Sequence, residues 1–233
     1  MNDSQLTGDI AIDFSPDDAQ AEYAALLREA EQRLTTLPTT ASDVERARVH
    51  LDIATARTGM AEANAAWDLA RQALDTFVAA EAWQDAVEAC EVLYKTELPA
   101  AAAALAHGVW LAVTYPVQPI TTITLLMHVV EETPPNSDGG AVAAAVAHYI
   151  AGVRAGSDAE FESLSFLTRN ELAKVAARHS TVTTQEQLDF WVAKLELNDP
   201  AKFLPRLGRV LDLIVGEHWW FDRDALRQRL PVN

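Results

Sequence analysis

The chain has 233 residues, 49% hydrophobic and 22% charged, which suits one globular domain or two small ones with a substantial core. Eighteen basic against 34 acidic residues leave a formal charge of −16, which argues against non-specific binding to nucleic acid or a membrane surface, because those partners need a basic surface. A single cysteine, Cys90, excludes an internal disulfide framework and any clustered-cysteine metal site, and makes the reducing cytoplasm the expected location.

The first residues, MNDSQLTGDIAIDFSPDD, carry acids where a secretory signal would carry lysine or arginine, so no targeting segment is expected. Residues 1–14 read as a flexible arm in which Ile10, Ile12 and Phe14 alternate with polar neighbours, the pattern of a short strand or a docking arm. Ser15-Pro16-Asp17-Asp18 supplies a cap, a proline suited to the first helical position and acids facing the positive helix end. The helix predicted there buries Tyr23, Leu26, Leu27, Ala30 and Leu34 and stops near Leu37-Pro38. Ser42-Asp43-Val44-Glu45 is a capping box for a second helix running to Gly59. Ala63, Trp67, Ala70, Leu74 and Phe77 form the stripe of a third, and Trp83, Ala86, Val87, Cys90 and Tyr94 that of a fourth.

From Leu98 through Val130, 33 residues pass without Asp, Glu, Lys or Arg. Pro116 and Pro119 divide this stretch, and Thr121, Thr122 and Thr124 interrupt its second part, so it reads as a buried helical hairpin rather than a membrane span. The segment TPPNSDGG, Thr133 to Gly140, predicts a turn or loop. A helix resumes over Ala141–Ala155, and Ser157-Asp158-Ala159-Glu160 and Thr183-Thr184-Gln185-Glu186 each signal a further start. Asp199-Pro200 opens a strongly amphipathic helix, and Asp222 caps a short last one. The expected organisation is an arm at 1–14, a helical region at 15–133, a loop at 134–140 and a second helical region at 141–233 packed with the first. The expected fold is all-α, an antiparallel array or bundle of about ten helices.

The stretch Gly59 to Tyr94 resembles the tetratricopeptide family through the small-x3-aromatic-x2-small pattern of Ala63, Trp67 and Ala70, and less well of Ala86, Cys90 and Leu93. Trp83 stands where that family commonly has an aromatic residue. The two matches lie 23 residues apart, against the family's repeat of about 34, and no proline closes either repeat. The resemblance covers about 36 residues and implies a groove that holds a peptide or partner protein rather than chemistry.

Phosphate-binding glycine loops, a nucleophile elbow and a paired-histidine zinc helix are absent from the sequence. His107, His128 and His148 are spaced 21 and 20 residues apart on three successive predicted helices; were they to converge, with Glu131 or Glu132 nearby, they would make a metal site and an alternative reading as an enzyme or metal carrier. The alternative for each is an ordinary hydrogen-bonded histidine, and for Cys90 a buried small hydrophobe. His218-Trp219-Trp220-Phe221 is internal packing, an interface anchor or a small-ligand platform, flanked by bases that give residues 200–233 a local charge of +2. The favoured reading is a non-enzymatic adaptor, assembly factor or chaperone-like scaffold without a cofactor. It would bind a protein or peptide bearing a basic patch through Trp67, Trp83, Trp219, Trp220, Arg223 and Arg227, with homo-oligomerisation left open.

Overall fold

The computed structural model describes residues 16–230. It contains eleven α-helices and, among the described residues, no strand: α1 (Pro16–Thr36), α2 (Asp43–Gly59), α3 (Ala63–Ala79), α4 (Trp83–Lys95), α5 (Ala101–Thr114), α6 (Pro119–Glu132), α7 (Asp138–Arg154), α8 (Asp158–Ser180), α9 (Gln185–Lys194), α10 (Pro200–Val215) and α11 (Arg223–Arg227). The arm with Ile10, Ile12 and Phe14, and the cap residue Ser15, lie outside the described residues. No described helix is long and apolar enough to cross a membrane.

From α1 to α8 each helix packs on the next. The helices from α2 to α8 begin at 43, 63, 83, 101, 119, 138 and 158, so successive starts are 18–20 residues apart. Helices α2, α4, α6 and α8 also touch one another in turn and form one layer. Arg48 of α2 bridges to Asp85 and Glu88 of α4, and the Gln84 side chain of α4 donates to the Thr121 hydroxyl of α6 at 3.0 Å. Helices α3, α5 and α7 alternate with them along the chain, and α10 packs on both α5 and α7. The segment that follows, residues 216–230, runs on over α3 and α5.

Helix starts follow local chemistry. The Ser42–Glu45 capping box forms as the sequence predicts. At Ser157 the hydroxyl receives the Glu160 amide, but the Glu160 carboxylate takes the Gly156 N–H, one residue earlier than a capping box requires. The start near 183 is displaced by one residue: Thr184 is the cap and Gln187 closes the box, accepting the amides of Thr183 and Thr184. The predicted loop at 134–140 is shorter than expected, because Ser137 caps α7 and Asp138-Gly139-Gly140 form its first turn. Gly140 is required there, since a Cβ would sit 2.7 Å from Thr133 Oγ1 and 2.8 Å from Arg178 Nη2. Three helix ends share one device: the amides of Glu62, Ala82 and Leu197 reach back to the carbonyls of Arg57, Phe77 and Val192, each at 2.9 Å, with Ala61, Glu81 and Glu196 left-handed in between.

The charge-free hairpin is the centre of the core. Helix α5 buries ten of its fourteen residues, and α7 beside α6 buries Gly140 through Ala147. Alanine allows this close approach, and at Gly108 a Cβ would already meet that of Cys90 at 2.7 Å. Neither α5 nor α6 has a base in its last turn to oppose the negative helix end. Arginines from later helices supply it. Arg154 donates to the carbonyls of Ala112 at 2.6 Å and Val113 at 2.8 Å, and Arg178 donates to that of Val130 at 2.6 Å.

Candidate functional site

The six residues singled out for partner binding come together at one place, although 152 positions separate Trp67 from Trp219 in sequence. After α10, Gly216 turns the chain with φ +68°, a conformation glycine adopts without a Cβ penalty. Residues 216–230 then lie as a strap over α3 and α5. The Trp220 indole stacks on the His107 imidazole at 4.1 Å and meets the edge of Trp67 at 6.0 Å. Trp219 and Phe221 pack on the other sides of His107 and reach Trp110, which in turn meets Tyr115. Trp83 stacks on Tyr115 at 3.7 Å with the rings 10° from parallel.

Guanidinium groups line this aromatic run. Arg223 lies 3.8 Å above the Trp219 ring, Arg71 lies 4.7 Å from Trp220, and Arg227 lies 5.5 Å from Trp110. Arg223 is paired with Asp212 of α10 at 2.8 Å, and Arg229 with Glu81 at 3.4 Å. Trp67, Trp83, Trp219 and Trp220 are half-buried, whereas Trp110, Tyr115 and His107 beneath them are buried.

Two polar contacts anchor the strap from below. The Tyr115 hydroxyl donates to the Leu226 carbonyl at 2.8 Å. The Trp220 amide donates to His107 Nε2 at 2.8 Å, so that nitrogen is unprotonated; the ring proton sits on Nδ1, 2.6 Å from the Ala103 carbonyl. Burial pushes the imidazole down to about 4; the bond to Ala103 opposes this, and the positive charges of Arg71 and Arg223 add to it. His107 is therefore a neutral, doubly bonded ring that holds a segment more than a hundred residues further along the chain.

The three-histidine metal site is not formed. His107 serves the strap, His128 Nδ1 lies 3.1 Å from Glu131 Oε2 beside Tyr94, and His148 Nδ1 lies 2.9 Å from the Thr168 hydroxyl. His107 meets residues 219–221, His128 meets Tyr94 of α4, and His148 meets Thr168 of α8, so the three imidazoles have different neighbours. Among the described residues no group of His, Cys, Asp and Glu is placed to hold a metal ion. The Cys90 thiol is fully buried in the α4–α5 contact, and burial pushes it far above the ordinary thiol range, leaving it as a small hydrophobe.

Sequence patterns did not disclose Arg71, Trp110 and Tyr115 as parts of this cluster. Trp110 follows His107 by three residues, so the two share a helix face; that spacing was the available signal. Other exposed apolar side chains stand apart, with Phe166 67%, Phe190 69% and Leu213 85% exposed. Comparison of the chain with family models, with curated proteins and with solved structures produced no match in any of the three.

Proposed function

We propose that the protein is a non-enzymatic helical scaffold that binds a segment of a partner protein in the α3/α5 groove, exchanging it for its own strap. The observation that carries this reading is the occupant of the groove: a peptide-like stretch with adjacent aromatics and an arginine, held by stacking, guanidinium–ring contacts and two hydrogen bonds to its backbone. A partner segment of the same chemistry, two neighbouring aromatics followed by arginine, is the matching ligand. Its basic residues suit a chain of net charge −16.

The helix spacing supports a tetratricopeptide-like array with a somewhat longer two-helix repeat than that family's, about 34 residues. The earlier residue matches fall on α3 and α4, which are consecutive helices and not the same helix of successive repeats, so support comes from the stacking order rather than from those residues. A reducing cytoplasm belongs to the same reading, supported by the free thiol of Cys90.

The test vacates the groove in the full chain. A Trp219→Ala, Trp220→Ala double variant whose helix content matches the parent is expected to bind a synthetic peptide of residues 216–230 at neutral pH. By calorimetry its dissociation constant is expected to be about 10 μM, a modest affinity because a free segment must be ordered on binding. The parent chain, with its strap in place, is expected to bind at least tenfold more weakly. Absence of binding by the folded double variant overturns the proposal.

A further inference from the structure

We propose that His107 is an acid-sensitive latch: protonation of its Nε2 removes the acceptor of the Trp220 amide and frees residues 216–230 from the α3/α5 groove. The consequence for partner access rests on the groove reading above, whereas the latch itself rests on the geometry of one ring. With Nδ1 already committed to Ala103 and Nε2 to Trp220, the neutral imidazole has no further valence. An added proton on Nε2 turns an acceptor into a donor that points at the Trp220 N–H. Two donors then face each other across 2.8 Å in a site closed to water, because His107 is 0% exposed.

The surroundings oppose a cation from several sides. From α3 comes Arg71, itself paired with Asp75; from α11 comes Arg223, paired with Asp212 of α10. The strap adds His218 and Asp222, and the Asp222 carboxylate is occupied with capping the amides of Asp224 and Ala225. Helix α4 contributes the buried Cys90 thiol next to Gly108. The charges that act on the ring, Arg71 and Arg223, are both positive. The indoles that could attract an imidazolium are already engaged by those same guanidiniums. Burial leaves the latched ring with a pKa of about 4, against 6.5 for a solvated histidine, so the unlatched state takes up the proton first as pH falls.

The strap alone is built to leave. Gly216 and the exposed Glu217 and His218 join it to α10, and its remaining ties are the Tyr115 hydrogen bond, the buried Leu226 side chain, two ion pairs at the surface, guanidinium–ring contacts and ring stacking. Amide exchange on the full chain, corrected for the intrinsic pH dependence of exchange, tests this. The opening constant at Trp220 and its strap neighbours is expected to rise about fiftyfold from pH 7 to pH 4.5, and at every pH the strap is expected to open far more readily than α6, α7 and α8. A strap whose protection does not change with pH overturns the latch, and so does a strap whose amides open only with the same free energy as those of α6–α8.

His107→Gln, which keeps a donor and an acceptor without titrating, is expected to flatten the response. If that variant does not fold, the imidazole nitrogen shifts of the parent chain decide the matter. His107 titrating below pH 5 in step with the Trp220 amide supports the latch, and titration near 6.5 overturns it. A strap that opens in acid, combined with failure of the vacated groove to bind the 216–230 peptide, breaks the groove reading and leaves the latch standing. A groove that binds the peptide in a protein whose strap ignores pH breaks the latch alone.

Discussion

The α5–α6 hairpin and the C-terminal strap both cross the middle of the molecule, and they are attached by opposite means. The hairpin is made of small and aliphatic residues, α5 lies so close to α4 that a Cβ at Gly108 would meet that of Cys90, and its orphan carbonyls are tied by guanidinium groups from α7 and α8. The strap is made of large rings laid on a groove, with one buried and one partly buried hydrogen bond, the buried Leu226 and otherwise half-exposed contacts. Close-packed small residues spread the attachment over many contacts that cannot be lost singly. Large rings on a few anchors concentrate it, so that one protonation event can reach all of it.

Removing Arg154 is expected to do the most damage. Arg154→Met keeps the side chain's length but strands the carbonyls of Ala112 and Val113, and is expected to cost about 3 kcal/mol in global stability by urea denaturation. If it instead loosened the strap first, the division between a cooperative hairpin and a detachable strap would fail. Acid comes next. The depressed His107 contributes stability that is fully present above pH 6.5 and is lost as pH falls toward 4, about 3 kcal/mol at most, read as the pH dependence of unfolding that His107→Gln abolishes. Gly108→Ala is expected to cost about 2 kcal/mol: its new Cβ must displace Cys90, an overpacking penalty larger than the helix propensity it gains. The smallest effect is expected from Tyr115→Phe, about 1 kcal/mol, seen as faster proteolysis within residues 216–230 with the thermal midpoint of the remainder nearly unchanged.

Much of the fold was legible in the chain because its signals are local. Ser42 with Glu45, Asp199 and Asp222 cap the helices that they precede, and apolar spacing marks the buried faces of α3, α4 and α10. The misplaced boundaries are those where two local signals compete, as with the adjacent Thr183 and Thr184, or where glycines hide a cap, as after Ser137. Gly139 and Gly140 read as a loop, yet Ser137 caps α7 ahead of them, and Thr133 and Arg178 occupy the space that a side chain at Gly140 would need. The second set of buried residues in α2, Val49 and Ile53, was not separable from the first until α1 was seen to cover it.

For the site, residue type was readable and arrangement was not. Tryptophans beside arginines announced an aromatic contact region, since such side chains seek both an apolar surface and a polar neighbour. By itself the sequence determined the helices, their caps, the absence of charge in the hairpin and the acidic field around it, all consequences of spacing over a few residues or of composition. Only the tertiary structure decided that His107 is a hydrogen-bond acceptor for Trp220 rather than a member of a three-histidine site, and that Arg154 and Arg178 close the ends of α5 and α6. Those pairings depend on which helices become neighbours. That choice is made by the sum of all interhelical packing, which no local spacing encodes.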